Sequence, residues 1–589
     1  MPIVGNKIKT TTDNFGNMVR GNYLLVDKTL MIRDFLENPN DSLILRPRRS
    51  GKSLNVSMLH HFLSSEVSGE STDGLFDSLA IASENNGTFI KEYQGKYPVI
   101  SITFKDVKNI TYVEAIEKIH VLVMGLYREH KKILLSEKMD DEDRRLFKKY
   151  LSEIISQAEL EQSLYVLSEF LFKAYGRKVI VLIDEYDSPL TNAYQYKFLE
   201  PLSLFLRNMF SSTLKGNSFL EKGLITGILR VSKNELLSGL NNLEVYSLFD
   251  TNYDQYFGFT EEEVIALTNN IESDHSLEEI KQYYNGYHFG DRIIYNPWSL
   301  MHYLDKKQLN PYWVLTSGDN LIKELCINSN VEIKEKLSTL MKGDVITGKI
   351  SLKTSYEDLM ESPDALWTLL LFSGYLTIES KTQENDADRC RLRIPNKEIL
   401  AQYKGIFNTW LSDVLGEKKY HSFLKSLLAG DVSAFTEHLG SYLMDALSFR
   451  DVVGEKKAEN FYHGFVAGLI ASIGDTHGVD SNKESGRGLY DIMLTPKNNR
   501  DTRGLVLEFK HVKKIDLIEN EAMNALTQID QLKYATELKR YPYITHVLKV
   551  GLAFSGKEVI SVYQEENLET GMRSKLVFSS RYFRDELEG

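Results

Sequence analysis

The sequence SLILRPRRSGKSLNVS occupies residues 42–57 and predicts three elements in a row. The apolar run at 43–45 favours a strand, residues 46–50 form a basic turn, and a helical pattern begins after Gly51. A turn that leads into a helix N-terminus directs backbone N–H groups, here including those of Ser50 and Gly51, toward one place where phosphate oxygens can bind. The stretch therefore predicts a P-loop.

Two side chains of this stretch fit the chemistry of a bound nucleotide. Lys52 can reach the β- and γ-phosphates, and the Ser53 hydroxyl can ligate Mg²⁺. Arg48 and Arg49 stand beside them in the chain and are candidates for further phosphate contacts. The usual pattern opens with glycine six positions before the lysine, where this chain has Arg46. The alternative is a strand and a basic turn in which Gly-Lys-Ser occurs by chance.

A second stretch supplies acidic groups. Residues 179–183, VIVLI, are apolar on both faces, which indicates an interior strand of a parallel sheet. Asp184 and Glu185 follow it, at the strand end where such sheets bind ligands. Asp184 is placed to hold Mg²⁺, and Glu185 is placed to polarise an attacking water. The alternative is a strand that ends in a solvent-exposed polar loop, but the preceding P-loop favours a nucleotide triphosphatase.

A third apolar run, at residues 220–231, predicts another strand of the same sheet. Thr226 near its end could sense the γ-phosphate, and Arg230 could complement the phosphate charge. The alternatives are a threonine present for its strand propensity and an arginine on the protein surface.

The composition limits the class of protein. A chain of 589 residues is too long for one hydrophobic core, and 42% hydrophobic with 26% charged residues is typical of a soluble globular protein. We find no stretch of transmembrane length and no signal-peptide core, so we expect a cytoplasmic protein with no membrane partner. The two cysteines, Cys326 and Cys390, fit a reducing compartment. Because the net charge is −12, any site for a polyanion must be a local basic patch.

The region after residue 300 carries a pattern of its own. A helix at 365–372 is followed by strands at 375–379 and 390–394 and by a second helix at 397–411. A helix with a two-stranded wing suggests a winged-helix module. We therefore predict three domains, at residues 1–300, 301–450 and 451–589.

The last region is predicted to run through helix, loop, strands, helix and strand. We predict a helix around 459–465, a polar loop at 481–488, strands at 489–494 and 504–510, a helix from about 516 and a strand at 550–554.

Charged residues on these elements form the second candidate site. Asp491 and Glu508 lie on adjacent strands, and Glu508 shares a strand face with Lys510. The carboxylates can bind Mg²⁺ at a scissile phosphate, and Lys510 can position and deprotonate the attacking water. Glu459 can add to the metal site, and Gln528 can orient the water or a phosphate. The alternative is an exposed sheet face with a cross-strand salt bridge.

Taken together, these stretches resemble a bacterial family that joins an AAA-ATPase-like domain to a C-terminal PD-(D/E)XK nuclease-superfamily domain. The resemblance covers essentially the whole chain. The matching stretches are VDKT (26–29), RPRRSGKSLNVSML (46–59), LIDEYDSPL (182–190), TGILRVSK (226–233), GLNNLEVYSL (239–248), YYNGYHFG (283–290), YNPWS (295–299), LLLFSGYLT (369–377), FYHGF (461–465), SNKESGRGLYDIMLTPK (481–497) and LEFK (507–510).

The resemblance implies an α/β protein in two parts. A P-loop NTPase parallel sheet with a helical and winged-helix module is followed by a PD-(D/E)XK, restriction-endonuclease-like α/β domain. It implies ATP and Mg²⁺ as cofactors, with Mn²⁺ as an alternative at the nuclease site. A P-loop that lacks its first glycine is typical of the family, whereas the superfamily's usual proline before the first aspartate is Tyr490 here.

Three functions stay open at this level. The first is an enzyme in which ATP binding and hydrolysis control the cleavage of nucleic acid. DNA is favoured over RNA as its substrate, and defence against foreign DNA is one role for such an enzyme. The second is an ATP-dependent, signalling-type switch whose nuclease-like domain binds nucleic acid or protein without cutting. The third is an ATPase with a purely structural C-terminal domain. Self-association into a homo-oligomer is open in each case.

Overall fold

The computed structural model contains helices and strands throughout the parts of the chain that it describes. Those parts are residues 3–152, 155–229, 242–271, 274–313, 319–327, 329, 331–341, 343–352, 354, 356, 358–384, 387–415, 417–446, 462, 466, 469–470, 473, 476–485, 488–532 and 534–579. The chain divides into two compact units. The first comprises residues 1–325 with 345–400, and the second comprises residues 326–344 with 401–589.

The helices and strands are named in chain order. The strands are β1 (Ile3–Val4), β2 (Leu25–Val26), β3 (Asp41–Leu45), β4 (Glu66–Val67), β5 (Glu70–Ser71), β6 (Val99–Thr103), β7 (Val179–Asp184), β8 (Leu220–Gly227), β9 (Leu243–Tyr246), β10 (Tyr287–Phe289), β11 (Arg292–Ile294), β12 (Ile346–Ile350), β13 (Thr377–Glu384), β14 (Ala387–Arg393), β15 (His477–Ser485), β16 (Gly488–Pro496), β17 (Arg503–His511), β18 (His546–Ser555), β19 (Glu558–Asn567) and β20 (Val577–Phe578). The helices are α1 (Phe15–Arg20), α2 (Leu30–Glu37), α3 (Lys52–Leu63), α4 (Thr88–Tyr93), α5 (Tyr112–Glu129), α6 (Asp141–Ser152), α7 (Gln157–Tyr175), α8 (Ser188–Gln195), α9 (Leu199–Leu214), α10 (Glu261–Asn270), α11 (Leu277–Tyr284), α12 (Pro297–Lys306), α13 (Asp319–Ile327), α14 (Val331–Met341), α15 (Asp358–Glu361), α16 (Pro363–Ser373), α17 (Lys397–Leu415), α18 (Glu417–Ala429), α19 (Val432–Ala446) and α20 (Ile518–Gln531).

The first unit is organised around a parallel sheet with strand order β6-β7-β8-β3-β9. Every residue of β7 is buried, which confirms the interior strand that its unbroken apolar run predicts. Parallel neighbours need crossover connections, and helices supply them along this part of the chain. The carboxyl ends of β3, β7 and β8 therefore meet at one edge of the sheet. The predicted α/β sheet is confirmed.

The helix and hairpin predicted after residue 362 are present. Helix α16 ends at Ser373, and Gly374 follows it with φ +89°, a conformation in which glycine carries no Cβ penalty. Strands β13 and β14 then pair antiparallel, and β12 joins the outer side of β14 to give a three-stranded sheet. The winged-helix interpretation and the three domain limits stay predictions.

The second unit contains a six-stranded sheet with order β15-β16-β17-β18-β19-β20. Strands β17 and β18 are parallel, and the other neighbours are antiparallel. Helix α20 connects the parallel pair and packs on one face of the sheet with Met493, Val506 and Ala553. Apolar residues of α18 and α19 cover the other face with Leu505, Leu507 and their neighbours.

One element of this unit differs from its prediction. The polar loop predicted at residues 481–488 is wrong over its first half, because β15 runs to Ser485 and pairs with β16 from His477↔Pro496 to Ser485↔Gly488. Polar side chains do not prevent a strand when a neighbouring strand satisfies its backbone groups.

Within the described residues, no helix combines the length and apolar character that crossing a membrane requires.

Candidate functional site

The turn between β3 and α3 encloses the ammonium group of Lys52. Gly51 precedes α3 with φ +94°, in the left-handed region that side chains rarely adopt. Lys52 Nζ donates to the carbonyl oxygens of Arg46, at 3.1 Å, and Pro47, at 2.8 Å. Ser50 Oγ also donates to the Pro47 carbonyl, at 2.9 Å. The basic turn is therefore a closed loop around a lysine at the start of a helix, as a P-loop requires.

The charge of Lys52 is opposed by its burial and supported by nearby acids. Its side chain is 4% exposed, and burial lowers the pKa of the ammonium group. The carboxylates of Glu185, Asp184 and Asp187 act in the opposite direction. Phosphate oxygens at this turn would add negative charge to the same group, so nucleotide binding and a charged Lys52 favour each other.

Asp184, at the end of β7, connects the turn to the neighbouring strands. Its Oδ2 accepts from Ser53 Oγ at 2.7 Å, and its Oδ1 accepts from Thr226 Oγ1 at 2.6 Å. Thr103 Oγ1 lies 3.4 Å from Asp184 Oδ2. A carboxylate in direct contact with a serine hydroxyl offers two adjacent oxygen ligands, which fit a hard divalent cation such as Mg²⁺.

Glu185 follows with an unusual backbone conformation. Its φ is +51°, and its N–H donates to Thr226 Oγ1 at 3.4 Å. Burial raises the pKa of its carboxyl group, and Lys52 lowers it. A carboxylate whose proton affinity is raised in this way is a better general base than an exposed one.

Of the two predicted phosphate sensors, the structure describes Thr226 but not Arg230. Thr226 is fully buried, and its hydroxyl contacts Asp184 and the N–H of Glu185. In this arrangement Thr226 positions the two acidic residues. Arg230 lies outside the described residues.

Tyr186 and Asp187 hold the chain that follows β8, a role that sequence reasoning did not predict. Asp187 Oδ2 accepts the N–H groups of Ile228, at 2.8 Å, and Leu229, at 3.0 Å. The Tyr186 hydroxyl donates to the Leu229 carbonyl. The signal that could have found them is the second aspartate in DEYD, three residues after Asp184, because a buried carboxylate needs partners.

Arg46 replaces the first glycine of the usual pattern, and its side chain leaves the loop altogether. It is fully buried, and Nη1 donates to the carbonyl oxygens of Tyr246, at 3.2 Å, and Ser247, at 2.7 Å. Nη2 donates to the Asn252 carbonyl at 3.2 Å. The guanidinium group therefore ties the end of β3 to the chain that follows β9.

The surroundings of Arg46 explain how a charged group is tolerated there. Its guanidinium carbon lies 5.5 Å from the ring centroids of both Phe257 and Phe289. Burial lowers its pKa to about 10, while Asp250 and Asp254 raise it. The group is therefore still charged at neutral pH.

The next two arginines lie in different surroundings. Arg49, with φ +61°, places its guanidinium carbon 4.1 Å from the ring centroid of Trp298 and donates to the Tyr312 carbonyl at 3.1 Å. Arg48 lines a small cavity at the edge of the sheet together with Asp187. Of the two predicted phosphate contacts, Arg48 therefore shares a cavity with one acidic residue, Asp187, whereas Arg49 contacts Trp298 and Tyr312.

The second candidate site lies on β16 and β17 in the second unit. Asp491 Oδ2 accepts the N–H of Phe509 at 2.7 Å, and the N–H of Asp491 donates to Glu508 Oε2 at 3.3 Å. Gln528, on α20, donates its amide to Glu508 Oε1. The structure therefore brings together three of the predicted residues from two strands and a helix.

Lys510 completes this group. Its Nζ lies 3.8 Å from Glu508 Oε1, and the two side chains are 24% and 3% exposed. Glu508 is buried and its carboxylate accepts hydrogen bonds from Gln528 and the Asp491 N–H, which differs from the salt bridge on an exposed sheet face that the alternative interpretation describes. Glu459, the fifth predicted residue, lies outside the described residues.

A glycine in β18 allows α20 to approach Glu508. Gly551 lies beside Glu508 in the parallel pair, and a Cβ there would stand 2.3 Å from the Ala522 carbonyl oxygen and 2.5 Å from the Leu526 nitrogen. Only a residue without a side chain fits under the helix, which brings Gln528 to its partner. The sequence reasoning missed Gly551, because nothing in a strand pattern shows where a helix will cross it.

The second candidate site offers two carboxylates to a metal ion. Within the described residues, no group of three or more His, Cys, Asp or Glu side chains is placed to hold a metal ion. Asp491 and Glu508 are nevertheless joined by the hydrogen bond from the Asp491 N–H to Glu508 Oε2, and carboxylate oxygens are the ligands that Mg²⁺ and Mn²⁺ prefer. Since Mg²⁺ commonly binds through one or two carboxylates with water and phosphate, the pair fits such an ion.

Comparison with known families gives a match in each of two parts of the chain. Residues 9–237 match a family model described as "Predicted AAA-ATPase", and residues 457–564 match a model of the PD-(D/E)XK nuclease superfamily. The first match contains the loop around Lys52, and the second contains the group around Glu508. The domain architecture expected from the sequence is confirmed.

A curated relative comes from Azotobacter chroococcum mcd 1, where it is described as "Uncharacterized protein in vnfD 5'region". It is 27% identical over 380 residues, which cover 64% of this chain and 65% of the relative. The chain thus spans somewhat less than two thirds of that protein's length.

Proposed function

We propose that this chain, which joins an AAA-ATPase-like region to a PD-(D/E)XK nuclease-superfamily domain, binds and hydrolyses ATP and cleaves phosphodiester bonds in nucleic acid with Mg²⁺. DNA is the favoured substrate, and Mn²⁺ is an alternative ion at the nuclease site. Control of cleavage by ATP, the cytoplasm as its location and defence against foreign DNA as its role belong to the same proposal.

The observation that carries the nuclease half is the convergence of four side chains at one place. Asp491, Glu508 and Gln528 are connected by hydrogen bonds, and Lys510 Nζ lies 3.8 Å from Glu508. They come from two strands and a helix that the chain separates, so neither a single strand pattern nor a local turn accounts for them. A metal ion on Asp491 and Glu508 would stabilise charge on the scissile phosphate.

The remaining side chains of the group have roles that follow from their positions. Lys510 is partly exposed, so it can hold the attacking water and, as the neutral amine, deprotonate it. Gln528 fixes the orientation of the Glu508 carboxylate.

In the ATPase half, Lys52 binds the phosphates, Ser53 and Asp184 offer oxygen ligands to Mg²⁺, and Glu185 polarises the water. The support is the direct contact between Ser53 and Asp184, which connects the turn and the acidic strand end that the sequence places more than a hundred residues apart.

The nuclease half is tested with the purified full chain, Mg²⁺ or Mn²⁺, and single-stranded DNA, duplex DNA and RNA, with and without ATP. We expect cleavage that Glu508→Gln or Lys510→Ala lowers by at least about 100-fold, because each removes acid–base or metal-binding chemistry. Glu508→Gln keeps the size of the side chain and an oxygen for Gln528, so the fold should persist.

Glu519→Ala is the matched control, because Glu519 is an exposed carboxylate on α20. It should cleave like the original protein. Full activity in folded Glu508→Gln and Lys510→Ala would contradict the assignment of the nuclease site.

A second function is favoured by one feature of Glu508. Both of its carboxylate oxygens accept hydrogen bonds from the protein, one from Gln528 and one from the Asp491 N–H. A site held in this way can also bind a phosphate without cutting, as in an ATP-dependent switch. The same assay separates the two functions: binding of labelled DNA without any metal-dependent cleavage above the Glu508→Gln level supports the switch.

A further inference from the structure

Glu185 connects β7 to α8 through a backbone conformation that residues with a side chain rarely adopt. Its φ of +51° lies in the left-handed region, where Cβ approaches the neighbouring carbonyl oxygen too closely. Such a conformation persists only where the surrounding contacts enforce it. Because β7 fixes the chain on one side, the conformation of Glu185 decides the direction in which its carboxylate points.

Backbone hydrogen bonds tie this connection to the neighbouring strand β8. The N–H of Glu185 donates to Thr226 Oγ1 at 3.4 Å, and the N–H of Tyr186 donates to the Thr226 carbonyl at 3.2 Å. The N–H of Ser188, the first residue of α8, donates to the Glu185 carbonyl at 3.1 Å. The first two bonds hold the connection against β8, and the third closes it.

Asp187 is the last residue before α8, but its carboxylate binds the chain after β8. An aspartate in this position usually accepts N–H groups of the helix that follows it, whereas the Asp187 side chain makes no such bond with the described residues of α8. Its Oδ2 accepts the N–H groups of Ile228, at 2.8 Å, and Leu229, at 3.0 Å. Since Asp187 is buried, water cannot readily replace it as their partner.

Tyr186 adds a second connection to the same segment. Its hydroxyl donates to the Leu229 carbonyl, so both backbone groups of Leu229 are bound. Its ring lies over the end of β8, because a Cβ on Gly227 would stand 2.5 Å from Tyr186 Cε1 and 3.0 Å from Asp187 Oδ1. A side chain at residue 227 would therefore displace both contacts.

These contacts oppose relaxation of Glu185. Tyr186 and Asp187 follow Glu185 directly in the chain, so a return of its φ to negative values would move both of them away from the segment after β8. Their hydrogen bonds to that segment would then be lost. The left-handed conformation is thus stabilised by the two residues that come after it.

We propose that Asp187 and Tyr186 are positioning residues that hold Glu185 in its left-handed conformation, so that its carboxylate meets the water that attacks ATP. The inference rests on the proposed ATPase function and adds two residues to it. Both residues act through Glu185, so their loss should slow hydrolysis without weakening ATP binding.

The step that depends on this position is the transfer of the γ-phosphoryl group to water. The water oxygen forms a bond to the γ-phosphorus, and Glu185 orients the water and accepts its proton. The bond between the γ-phosphorus and the β–γ bridging oxygen breaks, and its electron pair leaves with ADP. Tyr186 and Asp187 exchange no proton in this step.

The test compares the rate of hydrolysis with ATP affinity in the purified full chain. Single-turnover hydrolysis of radiolabelled ATP with Mg²⁺ gives the rate, and competition against a fluorescent ATP analogue gives the dissociation constant. For Asp187→Ala we expect a rate about 100-fold lower and a dissociation constant within about threefold of the original, because a misplaced catalytic group slows the reaction without removing a contact to ATP.

Two conservative variants grade this effect. Asp187→Asn keeps an oxygen that can accept both N–H groups, so its rate should stay within about fivefold of the original. Tyr186→Phe removes one hydrogen bond and keeps the ring, so its rate should fall by about tenfold.

A double-mutant cycle separates positioning from a general loss of stability. If Asp187 acts through Glu185, then adding Asp187→Ala to Glu185→Gln should lower the rate by less than about threefold. If Asp187→Ala does not fold, Tyr186→Phe is used in the same cycle. Ser276→Ala is the control, because it removes an N-cap hydrogen bond of α11 to the Glu279 N–H. It should lower thermal stability and leave hydrolysis unchanged.

The results that would overturn the inference can be told apart. An unchanged rate in folded Asp187→Ala removes the positioning role, and a loss confined to ATP affinity makes Asp187 a binding residue. An equal loss in Asp187→Asn and Asp187→Ala assigns the effect to charge. A full loss on top of Glu185→Gln means that Asp187 does not act through Glu185. No hydrolysis by the original protein removes the proposed ATPase function as well.

Discussion

At the scale of single residues, Arg46 shows how a missing glycine is compensated. In the usual P-loop the first position must allow a tight turn, but here the turn is held from outside. The guanidinium group donates to backbone carbonyl oxygens of Tyr246, Ser247 and Asn252, which lie about two hundred residues further along the chain. The position of the loop is thereby set by a long-range contact, and the local backbone does not need to set it.

This leads to a prediction that reverses the usual pattern. Arg46→Gly, which restores the common glycine, should destabilise the first unit by about 3 kcal/mol or more, because hydrogen bonds to a charged group contribute about 1.5–3 kcal/mol each. Arg46→Met should cost a similar amount, since it fills the space without donors. Urea unfolding at pH 7 measures both.

Arg145→Met, at an exposed arginine of α6, is the control and should change the unfolding free energy by less than about 0.5 kcal/mol. A stability of Arg46→Gly equal to that of the original protein would show that the loop does not depend on this contact.

Single residues also show what can be predicted from sequence. Lys52, Ser53 and Asp184 could be singled out because phosphate and metal binding restrict residue type and spacing; in the structure Ser53 donates to Asp184, and the charge of Asp184 acts on Lys52. The anchoring of Arg46 and Arg49 was not, because sequence spacing does not show which way a side chain leaves a turn. Their partners lie far along the chain and become neighbours only through the fold.

At the scale of elements, the nuclease-like site depends on how closely α20 lies over β17 and β18. Ile529 points into the core, while the neighbouring Gln528 reaches Glu508 and Asp530 pairs with the buried Lys549. Contacts with the sheet on both sides of Ile529 therefore fix this turn of α20. Its height above the sheet is set by Gly551.

We therefore expect Gly551→Ala to lower nuclease activity without touching a charged residue. The added methyl group would stand 2.3 Å from the Ala522 carbonyl oxygen, so α20 must move away and Gln528 with it. Overpacking of this kind costs about 1–3 kcal/mol of stability. Cleavage rate and thermal unfolding, measured on the same preparation, check both effects.

Gly478→Ala is the matched control, because its new Cβ would meet the Thr495 carbonyl oxygen at an ordinary van der Waals distance of 3.6 Å. It should leave stability and cleavage nearly unchanged. Equal activity of the two variants would mean that the approach of α20 does not matter for cleavage.

Element prediction succeeded where apolar periodicity was strong. The buried strands β7 and β17 and the helix α20 follow their predicted positions closely. Strand β15 was missed because most of its residues are polar, and its pairing with β16 depends on the tertiary structure. The parallel pairing of β17 with β18 was likewise beyond a local pattern.

At the scale of the whole molecule, two compact units each contain one candidate site. The first unit also contains a buried acid, Glu398, that has no part in either site. Its carboxylate accepts the Trp313 N–H at 2.7 Å. Burial raises the pKa of Glu398 to about 7, although the Trp313 N–H and the charge of Arg49 act to lower it.

This acid predicts a pH dependence of stability. The unfolded carboxyl ionises near its usual pKa of 4.5, and the folded one near 7, so the folded state holds more protons between these values. Stability of the first unit should therefore fall as pH rises through this window. Glu398→Gln should remove this pH dependence. The free energy of unfolding of the variant, relative to that of the original protein, should therefore be about 3 kcal/mol higher at pH 8 than at pH 5.

Urea unfolding followed by tryptophan fluorescence at the two pH values measures this difference. Glu200→Gln, at an exposed position of α9, should show the same pH dependence as the original protein. An identical pH profile for Glu398→Gln would contradict the raised pKa.

The crossover from β17 through α20 to β18 has a consequence for biosynthesis. A ribosome releases Asp491, Glu508 and Lys510 well before residue 551, and until β18 has emerged α20 lacks the strand in which Gly551 allows its close approach beside Glu508. Domains generally fold as units, N-terminal first, during synthesis. On the proposed function, the nucleotide-binding loop would therefore have time to fold before the nuclease site, because that site is among the last parts of the chain to be assembled.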